Sequence, residues 1–218
     1  MISSLLPSYK YLTEQRKLSE ETIRTFHLGY VAQNGEVYVG ADFTGALPAM
    51  DKRFYHSTMF PIFDLYGTCI AVSSRPLGPT QTKYINTQYE KSEHLYGLSV
   101  TWKECLKEQA VYVVEGNVSL LQMYQAGIKN CVAMLGSKLS LRQVCLLSRL
   151  VKKIILVPDA DKAGNEFLKK MKGNIPTKLY EADVKFTYVG LPSGNDPDDY
   201  LKTHSRQDFL GLSEQELI

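Results

Sequence analysis

The sequence predicts an α/β protein built on a parallel sheet, and three observations support that prediction. Short apolar runs recur in the second half of the chain, at residues 111–114, 131–135 and 154–157. Each run stops at small or acidic residues, and stretches with helical periodicity separate the runs. Strands that alternate with helices over short connections form parallel sheets with right-handed crossovers. The predicted fold of the second half is therefore α/β, a parallel sheet flanked by helices.

The first strand–helix–strand unit of this sheet starts at residue 111. Residues 111–114 are continuously apolar, which is typical of a strand buried on both faces of a parallel sheet. The segment 120–124 carries apolar residues at helical spacing, and Gly127 is placed to end that helix. The chain then returns in a second apolar strand at 131–135.

Two further units complete the predicted sheet. Ser140 is a candidate N-cap for the helix that leads to the strand at 154–157. A helix over 163–172 and a weaker strand over 184–189 follow.

The composition excludes several classes of protein. The chain has 218 residues, of which 44% are hydrophobic, and a formal net charge of +2. A disordered chain would need far less apolar content or a larger net charge. No apolar run approaches the ~20 residues of a membrane span, and residues 1–7 lack the charged and apolar regions of a signal peptide. These features predict a cytoplasmic protein without a membrane partner.

Neither the cysteines nor the overall charge indicates a specific site. The four cysteines lie far apart and form no Cys-x-x-Cys pair, so we expect neither zinc nor a disulfide scaffold in this chain: Cys69, Cys105, Cys131 and Cys145. Residues 1–108 carry 11 basic and 11 acidic side chains, and residues 109–218 carry 14 and 12. The placement of the acids is more informative than their number.

Three acidic residues follow two of the predicted strands. Glu115 comes directly after the strand at 111–114, and Asp159 and Asp161 follow the strand at 154–157. Ligands of open parallel sheets bind beyond the carboxyl ends of the strands. Carboxylates that converge there repel one another unless a hard cation lies among them, and oxygen ligands favour Mg²⁺, Mn²⁺ or Ca²⁺.

A later cluster, Asp196-Pro197-Asp198-Asp199, lies in a turn-rich stretch and is a candidate source of further ligands. Each acidic feature also has a simpler interpretation. Glu115 alone fits a solvated strand end, an Asp-x-Asp pair often caps a helix, and an Asp-Pro-Asp segment is typical of a surface turn. The combination at strand ends favours a metal site.

Four segments of the second half resemble, in order and spacing, the Toprim domain shared by bacterial-type primases, topoisomerases of types IA and II, and some nucleases. They are Val113-Val114-Glu115-Gly116, Gln125-Ala126-Gly127-Ile128, Leu135-Gly136-Ser137 and Asp159-Ala160-Asp161-Lys162-Ala163-Gly164.

The flanking segments resemble the polymerase domain of the DnaG-type primases of bacteria and phages. They include Leu18-Ser19-Glu20-Glu21-Thr22-Ile23, Leu28-Gly29-Tyr30, Met59-Phe60-Pro61-Ile62, Lys83-Tyr84-Ile85-Asn86, Leu95-Tyr96-Gly97-Leu98 and Gly194-Asn195-Asp196-Pro197-Asp198-Asp199-Tyr200-Leu201. The resemblance implies a mixed α/β, basic N-terminal subdomain over residues 1–108, followed by a Toprim-like parallel sheet flanked by helices, the catalytic subdomain, over 109–218. Template would pass through a groove between the two. We expect either a fragment of a longer primase or a compact primase of a phage or mobile element.

The implied activity is synthesis of short RNA primers on single-stranded DNA from NTPs, by metal-dependent nucleotidyl transfer. The resemblance implies a catalytic role for Glu115, Asp159 and Asp161, which would bind Mg²⁺ or Mn²⁺, and adds Asp196 and Asp198 as further metal ligands. It also implies a replicative helicase and a separate zinc-binding module as partners.

The same resemblance implies a set of residues that contact template and nucleotide: Arg53, Arg75, Lys83, Tyr84, Asn86 and Lys91. Basic side chains bind phosphates, and tyrosine stacks on unpaired bases. Taken singly, an Arg or Lys here is more often a solvated surface charge.

Three departures from the family pattern leave other functions open. Ser119 stands where the family usually has Asp, Tyr55 and Ser57 replace two arginines, and Ser73-Ser74-Arg75 replaces Gly-Gly-Arg. A second hypothesis is therefore a catalytically weakened module that binds single-stranded DNA or a replicative helicase. A third is a Toprim nuclease, which the primase-like first half disfavours. A topoisomerase is disfavoured most, because nothing here supplies the domain that carries its nucleophilic tyrosine.

Overall fold

The structure is a computed structural model that describes residues 4, 6–40, 43–80, 82–136, 138–174 and 184–217. Contacts divide the chain into two compact units, Met1–Tyr89 and Glu90–Ile218. The predicted subdomain boundary after residue 108 falls instead at the end of a helix of the second unit, which packs against that unit's sheet. Within the described residues, no helix is long and apolar enough to cross a membrane.

The first unit combines short helices with an antiparallel sheet. Its helices are α1 (Pro7–Lys10) and α2 (Glu20–Thr25), with a π-helical turn at Tyr11–Gln15 and a 3₁₀ turn at Lys52–Phe54. Its strands are β1 (Gly29–Val31), β2 (Val37–Tyr38), β3 (Ser57–Phe63), β4 (Cys69–Pro76) and β5 (Ile85–Asn86). They lie in the order β2-β1-β3-β4-β5, and every pairing is antiparallel.

The β3–β4 hairpin forms the centre of this sheet. Cross-strand pairing places Thr58 opposite Arg75 and Phe60 opposite Ser73, so these side chains share one face. The other face carries Met59 and belongs to an apolar core. Because side chains alternate along a strand, the register of this hairpin fixes which residues meet on each face.

The second unit alternates helices with strands. The helices are α3 (Leu98–Glu108), α4 (Asn117–Gln125), α5 (Leu141–Ser148), α6 (Lys162–Asn174), α7 (Pro197–Leu201) and α8 (Arg206–Leu210). The strands are β6 (Ala110–Val114), β7 (Cys131–Ala133), β8 (Lys153–Leu156), β9 (Lys185–Val189) and β10 (Glu214–Glu216).

The sheet of the second unit has the order β10-β9-β8-β6-β7. Strands β6 to β9 pair in parallel, which confirms the predicted parallel sheet with flanking helices. The antiparallel edge strand β10 is an addition that the sequence did not predict, because Glu214-Gln215-Glu216 is exposed and has no apolar alternation. The core between this sheet and its helices is formed by buried aliphatic residues of β6 and β8, among others.

Two predicted helix boundaries are confirmed. The Ser140 Oγ accepts a hydrogen bond from the Gln143 N–H (3.0 Å), and the Ser140 N–H donates to Gln143 Oε1 (2.8 Å), so a capping box begins α5. Gly127 follows α4 with φ +87°, a left-handed conformation that favours glycine after a helix.

Candidate functional site

The predicted acidic residues lie at the carboxyl edge of the parallel sheet, beyond three neighbouring strands. Glu115 directly follows β6, the segment of Asp159 and Asp161 follows β8, and Asp196 lies beyond β9. The ends of β6 and β8 are adjacent, because the Val157 N–H donates to the Val113 carbonyl (2.9 Å). Parallel pairing therefore brings acids that are far apart in the sequence to one edge.

Backbone hydrogen bonds hold two of these acidic loops together. The Ala160 N–H donates to the Asn195 carbonyl (2.8 Å), and the Gly194 N–H donates to the Ala160 carbonyl (3.1 Å). The Asp-x-Asp segment after β8 is thus paired with the segment just before Asp196. This pairing fixes one acidic loop relative to the other.

Glu115 has the most unusual environment of the predicted acids. Its Oε1 is buried and has no hydrogen-bond partner among the described residues. Burial raises the pKa of Glu115, the charge of Asp161 raises it further, and a hydrogen bond from the Asp159 backbone lowers it. A buried carboxylate oxygen that lacks a donor is costly, so this atom is placed to accept a cation or a proton.

Asp161 takes part in local structure as well. Its Oδ1 accepts a hydrogen bond from the Gly164 N–H (2.8 Å), which satisfies one free donor at the start of α6. The simpler interpretation of the Asp-x-Asp pair as a helix cap is therefore correct for this oxygen. The residue as a whole is exposed.

The later acidic cluster forms the tightest group of carboxylates. One oxygen from each of Asp196, Asp198 and Asp199 lies within 4.8 Å of the others. Burial raises the pKa of Asp196, and its side chain also accepts from the Asp199 N–H at the start of α7 (2.7 Å). Within the described part of the chain, Glu115, Asp159 and Asp161 do not form a group of three this compact.

The donor set at this edge fits a divalent cation. All of the candidate ligands are carboxylate oxygens, which Mg²⁺ and Mn²⁺ prefer over nitrogen or sulfur. The unpartnered Oε1 of Glu115 is the observation that supports the fit. Ser119, at the position of the missing family Asp, is buried in the first turn of α4 and adds no carboxylate.

A second set of predicted residues forms a cation–aromatic cluster in the first unit. The Arg75 guanidinium lies 5.7 Å from the ring centroid of Tyr11 and 5.5 Å from that of Tyr84. Arg16 also stacks on Tyr11 (5.4 Å) and donates to its hydroxyl (2.8 Å). Burial raises the pKa of Tyr84 to about 12, so the phenol stays neutral beside the guanidinium.

The group formed by Arg75, Tyr11, Tyr84 and Arg16 is called the Arg75 cluster below, and polar atoms in and beside it have no hydrogen-bond partner among the described residues. The Nη1 atom of Arg75 is buried and has no hydrogen-bond partner among the described residues, and the same is true of the Thr58 Oγ1 opposite it. A guanidinium with free donors is suited to a phosphate oxygen. Asn86 is half-buried on the adjacent strand β5.

The remaining predicted cations are more exposed. Arg53 makes a bidentate ion pair with Asp51 (2.7 Å), and 71% of its side chain is accessible. Lys83 is exposed. Lys91 is exposed and belongs to the second unit, where its carbonyl accepts a hydrogen bond from Gln143 (3.0 Å).

Comparison with known proteins agrees with both halves of this description. A family model described as the DNA primase catalytic core, N-terminal domain, matches residues 5–101, and a Toprim-like model matches residues 112–201. A DNA primase of Synechococcus elongatus is 33% identical over 93% of this chain and 33% of its own length. The chain therefore spans about a third of that relative.

Solved structures share the fold. The zinc-binding and RNA polymerase domains of the Aquifex aeolicus primase match 96% of this chain and 57% of that chain, with a TM-score of 0.77 and 26% identity. A DnaG primase catalytic domain bound to single-stranded DNA matches 99% of this chain and 75% of that chain, with a TM-score of 0.79. Its sequence identity to this chain is 24%, so this match supports the fold alone. This chain belongs to the DnaG-type primase family.

Sequence analysis missed several functional candidates in this DnaG-type chain. Tyr11 and Arg16 complete the Arg75 cluster, yet they lie some 60 residues from Arg75, and no pattern in the sequence places them beside it. Lys202 was not singled out either, although it pairs with Asp199 (3.0 Å) and with Asp198 (2.9 Å) of the acidic cluster. The spacing of three and four residues between a Lys and two acids on a helix was the available signal for that pairing.

The raised pKa of Glu115 gives a testable pH dependence. The unfolded chain releases this proton near pH 4.5, the ordinary pKa of a glutamate side chain, and the folded state retains it at higher pH because the pKa of Glu115 is raised. The free energy of unfolding therefore falls as the pH rises through the window between 4.5 and the raised pKa. In metal-free protein, we expect Glu115→Gln to remove the part of this fall in the free energy of unfolding that comes from ionisation of Glu115. Urea denaturation of both proteins across this window measures it, and equal pH profiles would contradict the assignment.

Proposed function

We propose that this chain is the polymerase core of a DNA primase, which synthesises short RNA primers on single-stranded DNA by metal-dependent nucleotidyl transfer. The observation that carries the proposal is the buried, unpartnered Oε1 of Glu115 beside the Asp159–Asp161 loop, at the carboxyl edge of the Toprim sheet. The DNA primase relatives support the reaction.

In this proposal, Glu115, Asp159 and Asp161 are the catalytic acids that bind Mg²⁺ or Mn²⁺, and Asp196 and Asp198 are further ligands. When bound, a divalent cation stabilises the attacking and leaving oxygens of the substitution at the α-phosphate. The paired loops at residues 159–161 and 194–196 hold the carboxylates in place before substrate arrives, because backbone hydrogen bonds fix the loops.

The first unit is proposed to bind template and nucleotide. The Nη1 of Arg75 supplies an unused donor to phosphate, and Tyr84, just before β5, and Asn86, within β5, are proposed to contact unpaired bases. Lys83 adds exposed positive charge in this unit, and Lys91 adds it in the second unit. A DnaG catalytic domain with this fold has been solved with single-stranded DNA, which supports the same class of template here.

The two predicted arginines should differ in their contribution to template binding. Arg75→Lys keeps the charge but loses the planar donors, and we expect single-stranded DNA to bind about 5- to 10-fold more weakly. Arg53→Ala should weaken binding by less than about 2-fold, because Arg53 is already paired with Asp51. Fluorescence anisotropy with a labelled oligonucleotide measures both, with thermal melts as a check on folding. A larger loss for Arg53→Ala than for Arg75→Lys would contradict this assignment.

The direct test of the proposed function is incorporation of labelled NTPs on single-stranded DNA with Mg²⁺ or Mn²⁺. We expect short RNA products that disappear when the metal is chelated. The assay is repeated with a replicative helicase and a zinc-binding module supplied separately, since both are proposed partners. If no primers form under any of these conditions, the chain is not an active primase core.

The absence of a carboxylate at Ser119 favours one second candidate, a weakened module that binds single-stranded DNA without primer synthesis. That candidate predicts unchanged DNA binding when Glu115 and Asp159 are replaced by Ala, together with no incorporation by the wild-type chain. Cleavage of DNA without added NTPs would instead indicate a Toprim nuclease.

A further inference from the structure

Lys202 is the internal counter-ion of the acidic cluster that follows β9. Its Nζ lies 2.9 Å from Asp198 Oδ2 and 3.0 Å from Asp199 Oδ1, and only 21% of its side chain is accessible. Asp198 is 2% exposed. The ammonium group therefore lies against a carboxylate that water scarcely reaches.

The position of this ammonium group has a consequence for the proposed metal ligands. Asp198 is one of three carboxylates whose oxygens lie within 4.8 Å of one another, and it is also a partner of Lys202. A buried carboxylate needs a nearby positive charge, and Lys202 supplies it without any metal. A divalent cation that binds Asp198 must then share this carboxylate with an existing positive charge.

We propose that Lys202 is a positioning residue that competes with divalent metal for Asp198 and so weakens metal binding at the Asp196–Asp199 end of the site. The inference rests on the proposed function, which assigns Asp196 and Asp198 as metal ligands. Lys202 stabilises the acidic cluster when metal is absent.

The removal of Lys202 should therefore tighten metal binding while it destabilises the metal-free protein. In Lys202→Met, Asp198 loses its paired charge, so the melting temperature without metal should fall. Repulsion between like charges a few ångströms apart changes affinity on the order of tenfold even at the dielectric constant of water. We expect Mn²⁺ to bind Lys202→Met on the order of tenfold more tightly than wild type. Mn²⁺ should also raise the melting temperature of Lys202→Met by more than it raises that of the wild type.

The experiment is a Mn²⁺ titration of the full chain by electron paramagnetic resonance, with thermal melts in parallel. Lys202→Arg retains the positive charge and should bind Mn²⁺ with the affinity of wild type. Lys185→Met is the matched control: it removes one charge from an exposed residue at the opposite end of β9, and it should leave Mn²⁺ affinity unchanged.

Three results would overturn the proposal. Equal Mn²⁺ affinity in wild type and Lys202→Met would show that the ammonium does not compete with metal. Weaker binding in Lys202→Met would show that Lys202 prepares Asp198 for metal instead. Absence of Mn²⁺ binding in every variant would remove the metal assignment of the proposed function together with this inference, whereas the first two results leave that assignment intact.

Discussion

Glu115→Gln should reduce primer synthesis by at least about 10²-fold while leaving the fold intact. A divalent ion on a transferring phosphoryl group contributes several kcal/mol of transition-state stabilisation, and a neutral amide is a poor ligand for it. The substitution keeps the volume of the side chain and an oxygen that accepts the hydrogen bond from the Asp159 backbone. Incorporation of labelled NTPs on a primed and an unprimed template measures the effect.

Stability provides the control for this variant. Because burial and the charge of Asp161 oppose ionisation of Glu115, the neutral Gln should leave the metal-free melting temperature at neutral pH unchanged or higher. Binding of single-stranded DNA should also be retained, since Glu115 is not among the proposed template contacts. An active Glu115→Gln protein would contradict a catalytic role for this carboxylate.

Gly164→Ala should strongly destabilise the second unit and abolish activity with it. A Cβ atom at Gly164 would lie 2.0 Å from the carbonyl oxygen of Asp159 and 3.0 Å from its carbonyl carbon. The backbone of the Asp159–Asp161 loop must therefore move, and the two candidate ligands move with it. We expect a loss of about 3 kcal/mol in the free energy of unfolding, measured by chemical denaturation.

The same helix offers a matched control. Gly173 also lies in α6, and nothing is within 4 Å of a Cβ built there. Gly173→Ala should stabilise the protein by about 0.5–1 kcal/mol, because alanine has the higher helix propensity. If Gly164→Ala were as stable and as active as Gly173→Ala, the proposed link between α6 and the acidic loop would be wrong.

The sheet of the second unit could be predicted from local pattern alone. Its strands are continuous apolar runs, and the residue types that end them also mark where the acids lie. Because parallel strands share a carboxyl edge, the sequence pattern predicts that Glu115, Asp159 and Asp161 lie at one edge of the sheet. The roles of these acids stay a prediction.

Contacts between distant segments could not be predicted in the same way. The stacking of Arg75 on Tyr11 depends on how the N-terminal turn packs against the β3–β4 hairpin, and no periodicity encodes that packing. The unit boundary at Tyr89 is a second example, since α3 follows the first half in sequence but packs on the sheet of the second.

A crystal structure of the chain with Mn²⁺ and an NTP tests the central claim most directly, because Mn²⁺ is located by its anomalous scattering. The account predicts Mn²⁺ bound to Glu115 and the Asp159–Asp161 loop, with the triphosphate beside it. The Glu115→Gln protein, crystallised under the same conditions, should lose that peak. A triphosphate bound elsewhere, or Mn²⁺ absent from this edge of the sheet, would contradict the account.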